Sequence, residues 1–288
     1  PFFCRTTKRQ LEVPDANDDI IVKSIASNLE NEIFNILLLK YAKNKLALII
    51  RLLQLESNPK MILRAINDNG EDFSDILDTT GDIADIDYID YSEEIVSLIN
   101  SIDKTSKFNA CISQAMELYE KSESIIIWCI FVDSIINLAS QLRSKGLNVG
   151  VIYGCIGDEE RQEILRQFRG KEIDVLITNP HTLAESVSLH SICHNAIYFE
   201  YSYNLVHLLQ SKDRIHRLGL PKDQYTQYYF MQNDFLTRDY DVYSLDERIY
   251  ERLLEKERIM LEAIDMDVLE HLGTIEEDIE IIFRDLKF

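Results

Sequence analysis

SIIIWCIFVDSIINLASQLRSKGLNVGVIYGCIGDEERQEILRQFRGKEIDVLIT, Ser124 to Thr178, is the stretch that decides the fold. Three short apolar runs, Ile125 to Cys129, Val149 to Tyr153 and Ile173 to Thr178, are separated by two amphipathic segments, about Asp133 to Lys145 and Asp158 to Phe168. Near-continuous apolar runs of this length suit strands buried on both faces, and the segments between them carry apolar residues at helical spacing. Strand, helix, strand in this order predicts a parallel sheet covered by helices, an α/β fold. Downstream, Ala196 to Phe199 and Tyr225 to Met231 add two strand candidates, and about Leu205 to Arg217 a third helix. Asp133, Gly157 with Asp158, and Asn204 are the expected helix starts. Gly146 is the expected stop of the first helix, because a residue free to take positive φ ends a helix well.

Outside this core the pattern changes. Between Asn28 and Leu55, Leu29, Ile33, Ile36 and Leu37, then Leu46, Ile49, Ile50 and Leu53, recur at helical spacing, and Asn58 with Pro59 ends the second helix. From Ala65 to Asp103 there are 12 acidic and no basic residues, which predicts an acidic surface insertion with short helices at most. Ser244 to Ile264 predicts one long charged amphipathic helix, and Thr274 to Phe288 a short acidic one. The chain is therefore divided into an N-terminal helical part (1–64), an acidic insertion (65–103), the α/β lobe (104–233), and a bracing helix with an acidic tail (234–288).

With 288 residues, 46% hydrophobic and 28% charged, the chain has the composition of a folded soluble protein of one large or two small domains. The longest apolar stretch, Ile125 to Val132, is bracketed by Glu123 and Asp133, far short of the roughly 18 residues a membrane helix needs. No signal peptide opens the chain, and the five scattered cysteines, an odd number with no C-x-x-C pair, suit reduced thiols; the expectation is a cytoplasmic protein with no membrane partner. Pro1 in place of Met, followed by FFCRTTKRQL, has the look of an interior segment and suggests a piece of something longer. The net charge of −20 is unevenly held: the stretch 65–103 carries −12 and 234–288 carries −10, leaving the remainder at +2 and able to present a local basic face. His190, Cys193 and His194 have the residue types of a metal site but no second group of ligands, so a turn with a packed cysteine is the simpler reading.

The strongest local signal is QSKDRIHRLG, Gln210 to Gly219. If the helix continues through it, Gln210, Asp213 or Arg214, and Arg217 share one face, and two permanent positive charges point the same way. Arginine suits phosphoryl chemistry because its planar fork is always charged and can hold phosphate oxygens bidentately. A plain charged surface helix would have the same spacing.

That segment resembles motif VI of superfamily-two helicases in its Swi/Snf form: Gln210, Asp213, Arg214, His216, Arg217 and Gly219 match the pattern. Further pieces follow the family's order. SIIIWCIFVDSI resembles motif IV, GDEERQEILRQFR the helix after the next strand, and DVLITNPHTLAESVSL motif V. SLDERIYERLLEKER resembles the bracing helix that closes this lobe, while PFFCRTTKRQL and RLLQLESNPKMIL resemble the end of the first lobe and the start of the helical protrusion on the second. The likeness spans most of the chain except roughly 65–103 and the last fifteen or so residues.

The resemblance implies a second RecA-like lobe of an ATP-driven DNA translocase. It implies that Arg217 is the arginine finger, that Arg214 is its companion on the γ-phosphate, and that Gln210 and Asp213 orient them. Thr178 and Asn179, with Ser186 and Ser188, would touch the sugar-phosphate backbone of double-stranded DNA without reading sequence; Asn179 before Pro180 is also ordinary turn chemistry. ATP and Mg2+ would be held mainly by an N-terminal lobe, since no G-x-x-x-x-G-K-[ST] occurs here and no Asp-Glu pair ends an apolar strand. The chain alone is thus expected not to turn over ATP.

Two departures stand out. Motif V usually carries glycines before Gly-Leu-Asn-Leu, where this chain has Ala184, Glu185, Ser186, Val187, Ser188 and Leu189, and motif IV shows Cys129, Ile130 and Phe131 in place of Ser-Gln-Phe. Close backbone approach to phosphate is harder without glycine, so the DNA contacts are the less secure part of the resemblance. The serine-rich variant, followed by HNAIYFE, is similar to a bacterial or phage branch associated with anti-phage systems. Two other readings stay open: a degenerate helicase lobe serving as a protein-interaction module, and an unrelated doubly wound enzyme. The last would need a glycine-rich loop after Ile125 to Cys129, which the sequence lacks.

Overall fold

Four residues, Ile125–Trp128, are fully buried, as a strand covered on both faces must be, and they form the middle of the sheet. The computed structural model describes residues 10–64, 91–180, 182–183, 187–266 and 273–286. In chain order these contain β1 (Ile20–Ile25), α1 (Asn28–Lys40), α2 (Lys45–Ser57), a 3-10 turn (Pro59–Leu63), α3 (Glu93–Ser101), α4 (Ser106–Glu120), β2 (Ile125–Trp128), α5 (Val132–Ser144), β3 (Val149–Ile152), α6 (Asp158–Arg169), β4 (Val175–Thr178), β5 (Asn195–Tyr198), α7 (Leu205–Ile215), β6 (Gln227–Leu236), β7 (Val242–Tyr243), α8 (Leu245–Met266) and α9 (Ile275–Ile282). The sheet order is β1-β6-β5-β2-β4-β3, and β7 pairs antiparallel with β6. β2 runs parallel to both β4 and β5, β3 to β4, and β5 to β6. This is the expected parallel α/β sheet, and its register sets Trp128 beside Thr178 on one side and Tyr198 on the other.

The described residues fall into two compact units. The first comprises 1–22, 111–199 and 206–230. Its helices cover the sheet through narrow apolar stripes: Ile135, Leu138, Ala139 and Leu142 of α5, and Leu165 and Phe168 of α6. α5 begins one residue before Asp133, after Phe131, so the Asp133 carboxylate lies in the first turn, where it favours the helix dipole but is not the cap. Gly146 ends α5 as expected: at φ +94° its N–H bonds the Arg143 carbonyl at 2.9 Å and the Leu147 N–H bonds that of Leu142 at 3.2 Å. Gly150 in β3 is there for space, since a Cβ would come within 2.9 Å of Ile164 and Ile173 side-chain carbons.

The second unit comprises 23–110, 200–205 and 231–288. Ser27 caps α1 in a reciprocal box with Glu30, whose carboxylate also accepts from the Ser106 N–H and hydroxyl. α2 is buried continuously from Ala47 through Ser57, so it is the core of this unit rather than a surface helix. Asn58 and Pro59 end it as expected, the Asn58 N–H bonding the Gln54 carbonyl at 2.8 Å and its side chain then capping the 3-10 turn. Part of the acidic stretch is a short helix, α3, and 65–90 lie outside the described residues.

Charge is also buried in the second unit. The Lys107 ammonium sits 2.6 Å from Asp246 and 3.2 Å from Glu56, with all three side chains fully inaccessible. Asp278 receives both Arg252, at 2.7 Å, and Lys256. Burial, reinforced by the neighbouring Asp246, pushes the Glu56 carboxyl well above the usual carboxylate range. Burial works against the Lys107 charge, but Asp246 and Glu56 outweigh it and its pKa is raised.

Candidate functional site

In open parallel sheets the carboxyl ends of the strands and the loops that leave them are where ligands are met. Here β4 ends at Thr178, and the chain leaves through Asn179 and Pro180. Thr178 is fully buried, its hydroxyl donating to the Asn179 carbonyl at 3.3 Å, so it steadies the turn rather than presenting its hydroxyl outward. Asn179 is half-buried, and its Oδ1 has no hydrogen-bond partner among the described residues. The neighbouring strand end holds Trp128, fully buried, whose Nε1 is likewise unpaired. A buried donor and a buried acceptor left open on adjacent strand ends are unusual, because such groups are nearly always satisfied. Trp128 was not among the expected site residues; its signal was the chain's single tryptophan closing an apolar strand.

Beyond Asn179 the chain returns at Val187–His190. Ser188 is half-buried, with its Oγ 2.6 Å from His190 Nδ1. Ser186 lies outside the described residues. This segment is tied to the end of α7: the Leu189 N–H bonds the Arg214 carbonyl at 2.9 Å, and the Arg214 guanidinium donates to the Val187 carbonyl at 3.3 Å. α7 itself is fixed to the sheet by buried Leu208, Ser211 and Ile215, with Ser211 Oγ 2.9 Å from the Tyr198 hydroxyl.

The expected helical face through Gln210, Asp213 or Arg214, and Arg217 is corrected by this geometry. α7 ends at Ile215, and Arg217 stands in the turn that follows. The physical reason is twofold. The Arg214 carbonyl, which a continuing helix would use, is taken by Leu189, and Gly219 at φ +102° reverses the chain against His190, whose Nε2 lies 3.2 Å from where a glycine Cβ would be. The two arginines therefore differ. Arg214 is 8% exposed, and burial, then the nearby positive Arg217, push its pKa down against the opposing pull of Asp213. Arg217 is exposed, and its side chain makes no hydrogen bond or ion pair among the described residues. Gln210 and Asp213 are exposed on the last two turns of α7. Two guanidinium groups near enough to disfavour one another, one of them open to solvent, form a site that gains from an anion such as a phosphate.

Among the described residues no group of three or more His, Cys, Asp or Glu could hold a metal ion. Cys193 is buried and donates its thiol proton to the Ser124 and Asn195 carbonyls; burial pushes its pKa up to about 12, which suits packing and not metal ligation. No described helix is long and apolar enough to cross a membrane.

Residues 106–219 match the helicase conserved C-terminal domain. Over 126 residues the chain is 28% identical to the ATP-dependent RNA helicase p62 of Drosophila melanogaster, covering 44% of this chain and 16% of that protein's length. The fold is similar to the C-terminal part of the Fun30 ATPase domain, with a TM-score of 0.61 and 18% identity over 95% of this chain and 100% of that one. It is similar too to the Sulfolobus solfataricus SWI2/SNF2 ATPase C-terminal domain, with a TM-score of 0.53 and 12% identity over 94% of this chain and 95% of that one. Residues 106–219 thus match a helicase C-terminal domain, and the fold is a RecA-like parallel sheet similar to that of the two ATPase C-terminal domains.

Proposed function

We propose that this RecA-like helicase C-terminal lobe is the second half of an ATP-dependent DNA translocase, completed by an N-terminal lobe of the same parent chain that holds most of the ATP and Mg2+. The observation that carries the reading is the pair of arginines at the end of α7: Arg214 held inward on the Val187 carbonyl, Arg217 open in the turn behind it. Bound ATP with Mg2+ would supply a transferable γ-phosphoryl group. Arg217 then neutralises charge growing on its oxygens, Arg214 adds a second positive charge from a partly desolvated position, and Gln210 and Asp213 orient the pair. Such a contribution is electrostatic positioning and needs no covalent step from the lobe.

Asn179, steadied by Thr178, together with Ser186 and Ser188, would touch a sugar-phosphate backbone, a contact that positions without reading sequence. In that contact the Asn179 side-chain Nδ2 would donate to a phosphate oxygen, since its Oδ1 can only accept. The choice of DNA over RNA rests on the Swi/Snf-like segments, whereas the curated relative is an RNA helicase. A bacterial or phage setting, a cytoplasmic location and a part in anti-phage defence belong to the same reading.

The test uses the chain itself. It should release no phosphate from ATP, with or without DNA, and should bind duplex DNA at roughly 10⁻⁴ to 10⁻⁶ M, weakening steeply with salt. DNA-stimulated hydrolysis by the chain alone, or a tight salt-insensitive complex, would overturn the proposal. Stronger binding to an RNA duplex of the same length would overturn its DNA part.

A further inference from the structure

The Arg217 turn is held on a second side, by a segment far away in sequence. Residues 13–19 run along α7 and the start of β6. His216 lies between the two arginines, and its Nε2 faces the Pro14 carbonyl oxygen at 2.7 Å; a carbonyl only accepts, so the imidazole donates. Further contacts continue from there. The Asn17 N–H bonds the Thr226 carbonyl at 2.9 Å, and its side-chain amide donates to Gln227 Oε1 at 3.1 Å. Gln227 in turn donates to the Asp18 carbonyl at 2.8 Å. Lys212 on α7, four residues before His216, pairs with Asp19 at 3.2 Å and lies over the Tyr228 and Phe230 rings. Val13 is buried at the head of this run.

The turn is thereby clamped. On one face Arg214 and Leu189 tie the end of α7 to 187–189, and on the other His216 ties it to Pro14, while Arg217 between them is left open. Proline is a suitable anchor, because its ring fixes φ and removes one backbone freedom at the accepting residue. A turn held from both sides leaves the exposed guanidinium fewer backbone orientations, and preorganisation of that kind is how positive groups gain effect in phosphoryl transfer.

We propose that residues 13–19 are a positioning strap for the Arg217 turn, with His216 as the positioning residue that reads it and the Lys212–Asp19 pair as its second fastening. The effect on turnover rests on the reading of Arg217 given above; the strap's hold on the turn does not. On the chain itself, His216→Ala should speed hydrogen exchange at the His216, Leu220 and Leu189 amides, which donate within and beside the turn, and leave the Ile127 and Leu176 amides of β2 and β4 unchanged. His216→Gln, whose amide can still donate to the Pro14 carbonyl, should restore protection, and Asp19→Asn should reproduce the loss more weakly. In the full-length parent with saturating DNA, His216→Ala should lower kcat roughly tenfold or more without changing KM for ATP, and His216→Gln should recover it.

Unchanged exchange at the turn in His216→Ala would overturn the strap, as would an equal rise in β2 and β4, which marks general loss of stability. An unaltered kcat in His216→Ala where Arg217→Ala is inactive would overturn its role in turnover. If Arg217→Ala keeps full activity, the phosphate reading of the site fails instead, and the exchange pattern alone decides the strap.

Discussion

Two regions of the molecule concentrate charge, and they treat it in opposite ways. In the second unit Lys107, Glu56 and Asp246 are wholly buried and spend their charge on one another. At the end of α7 Arg214 donates to the Val187 carbonyl, and Arg217 stays in solvent. A network of short contacts among fully buried groups specifies how helices pack, and its members cannot reach a ligand. A half-closed one keeps a favourable electrostatic interaction in reserve for a partner that arrives later. The contrast predicts that mutations in the first region act on stability and mutations in the second on chemistry.

The largest expected effect is that of Arg217→Ala. Under the proposed function, in a protein that includes the N-terminal lobe, it should lower DNA-stimulated ATP hydrolysis by about 10³ to 10⁵-fold while nucleotide binding is kept, with Arg217→Lys recovering little because the planar fork is lost. Its melting transition should move by less than the equivalent of about 0.5 kcal/mol, as for an exposed residue without partners. A steady-state assay alongside denaturant unfolding checks both halves, and retention of more than about a tenth of the rate would break the comparison on its chemical side.

Lys107→Met is the counterpart. It leaves the Asp246 carboxylate buried beside Glu56 with no cation, at a cost of about 3–5 kcal/mol in unfolding free energy. Equilibrium urea unfolding of the chain measures it, and a loss under about 1 kcal/mol would mean that the interior is wet enough to solvate the pair.

Glu56 sharpens the same side through pH. Its folded pKa is raised by burial, so its contribution is fully present below the usual unfolded value and is lost as pH rises toward the folded one. Glu56→Gln removes that loss. The variant should therefore gain on the parent chain by up to about 1.4 kcal/mol for each pH unit above the unfolded pKa. Parallel stability curves from pH 5 to 8 would show instead that Glu56 ionises freely inside the fold. The smallest effect is expected at Thr274, whose capping box with Glu277 starts α9; Thr274→Ala should cost about 1 kcal/mol by thermal unfolding.

These regions were unequally legible in the sequence. The buried strands announced themselves as apolar runs, and Gly146 as a helix stop, since both depend on neighbours within a few residues. The last turn of α7 did not, because its end is imposed by Leu189 from a separate segment. β1 was missed for a similar reason: the run IIVKSI has neither the alternation of an edge strand nor the apolar density of a central one, and only Ser24 within it is buried. Asp246 and Asp278 were counted only toward the negative charge of 234–288, although each is buried with its cations, Lys107 for one and Arg252 with Lys256 for the other. Spacing says little about partners 139 residues apart, the separation of Lys107 from Asp246. The candidate phosphate-facing arginines were legible as residue types in a motif, but the inequality between them was not.

Trp128 carries one last consequence. It is the chain's single tryptophan, fully buried at the end of β2, stacked near Tyr198 with ring centroids 6.5 Å apart and paired in register with Thr178. Its indole is thus a built-in optical reporter at the carboxyl end of the sheet's middle strand, beside the strand that ends at Thr178 and Asn179. Emission from this one ring follows the polarity of its surroundings without any label, so the nucleic-acid contact proposed for that strand end can be tested by light alone.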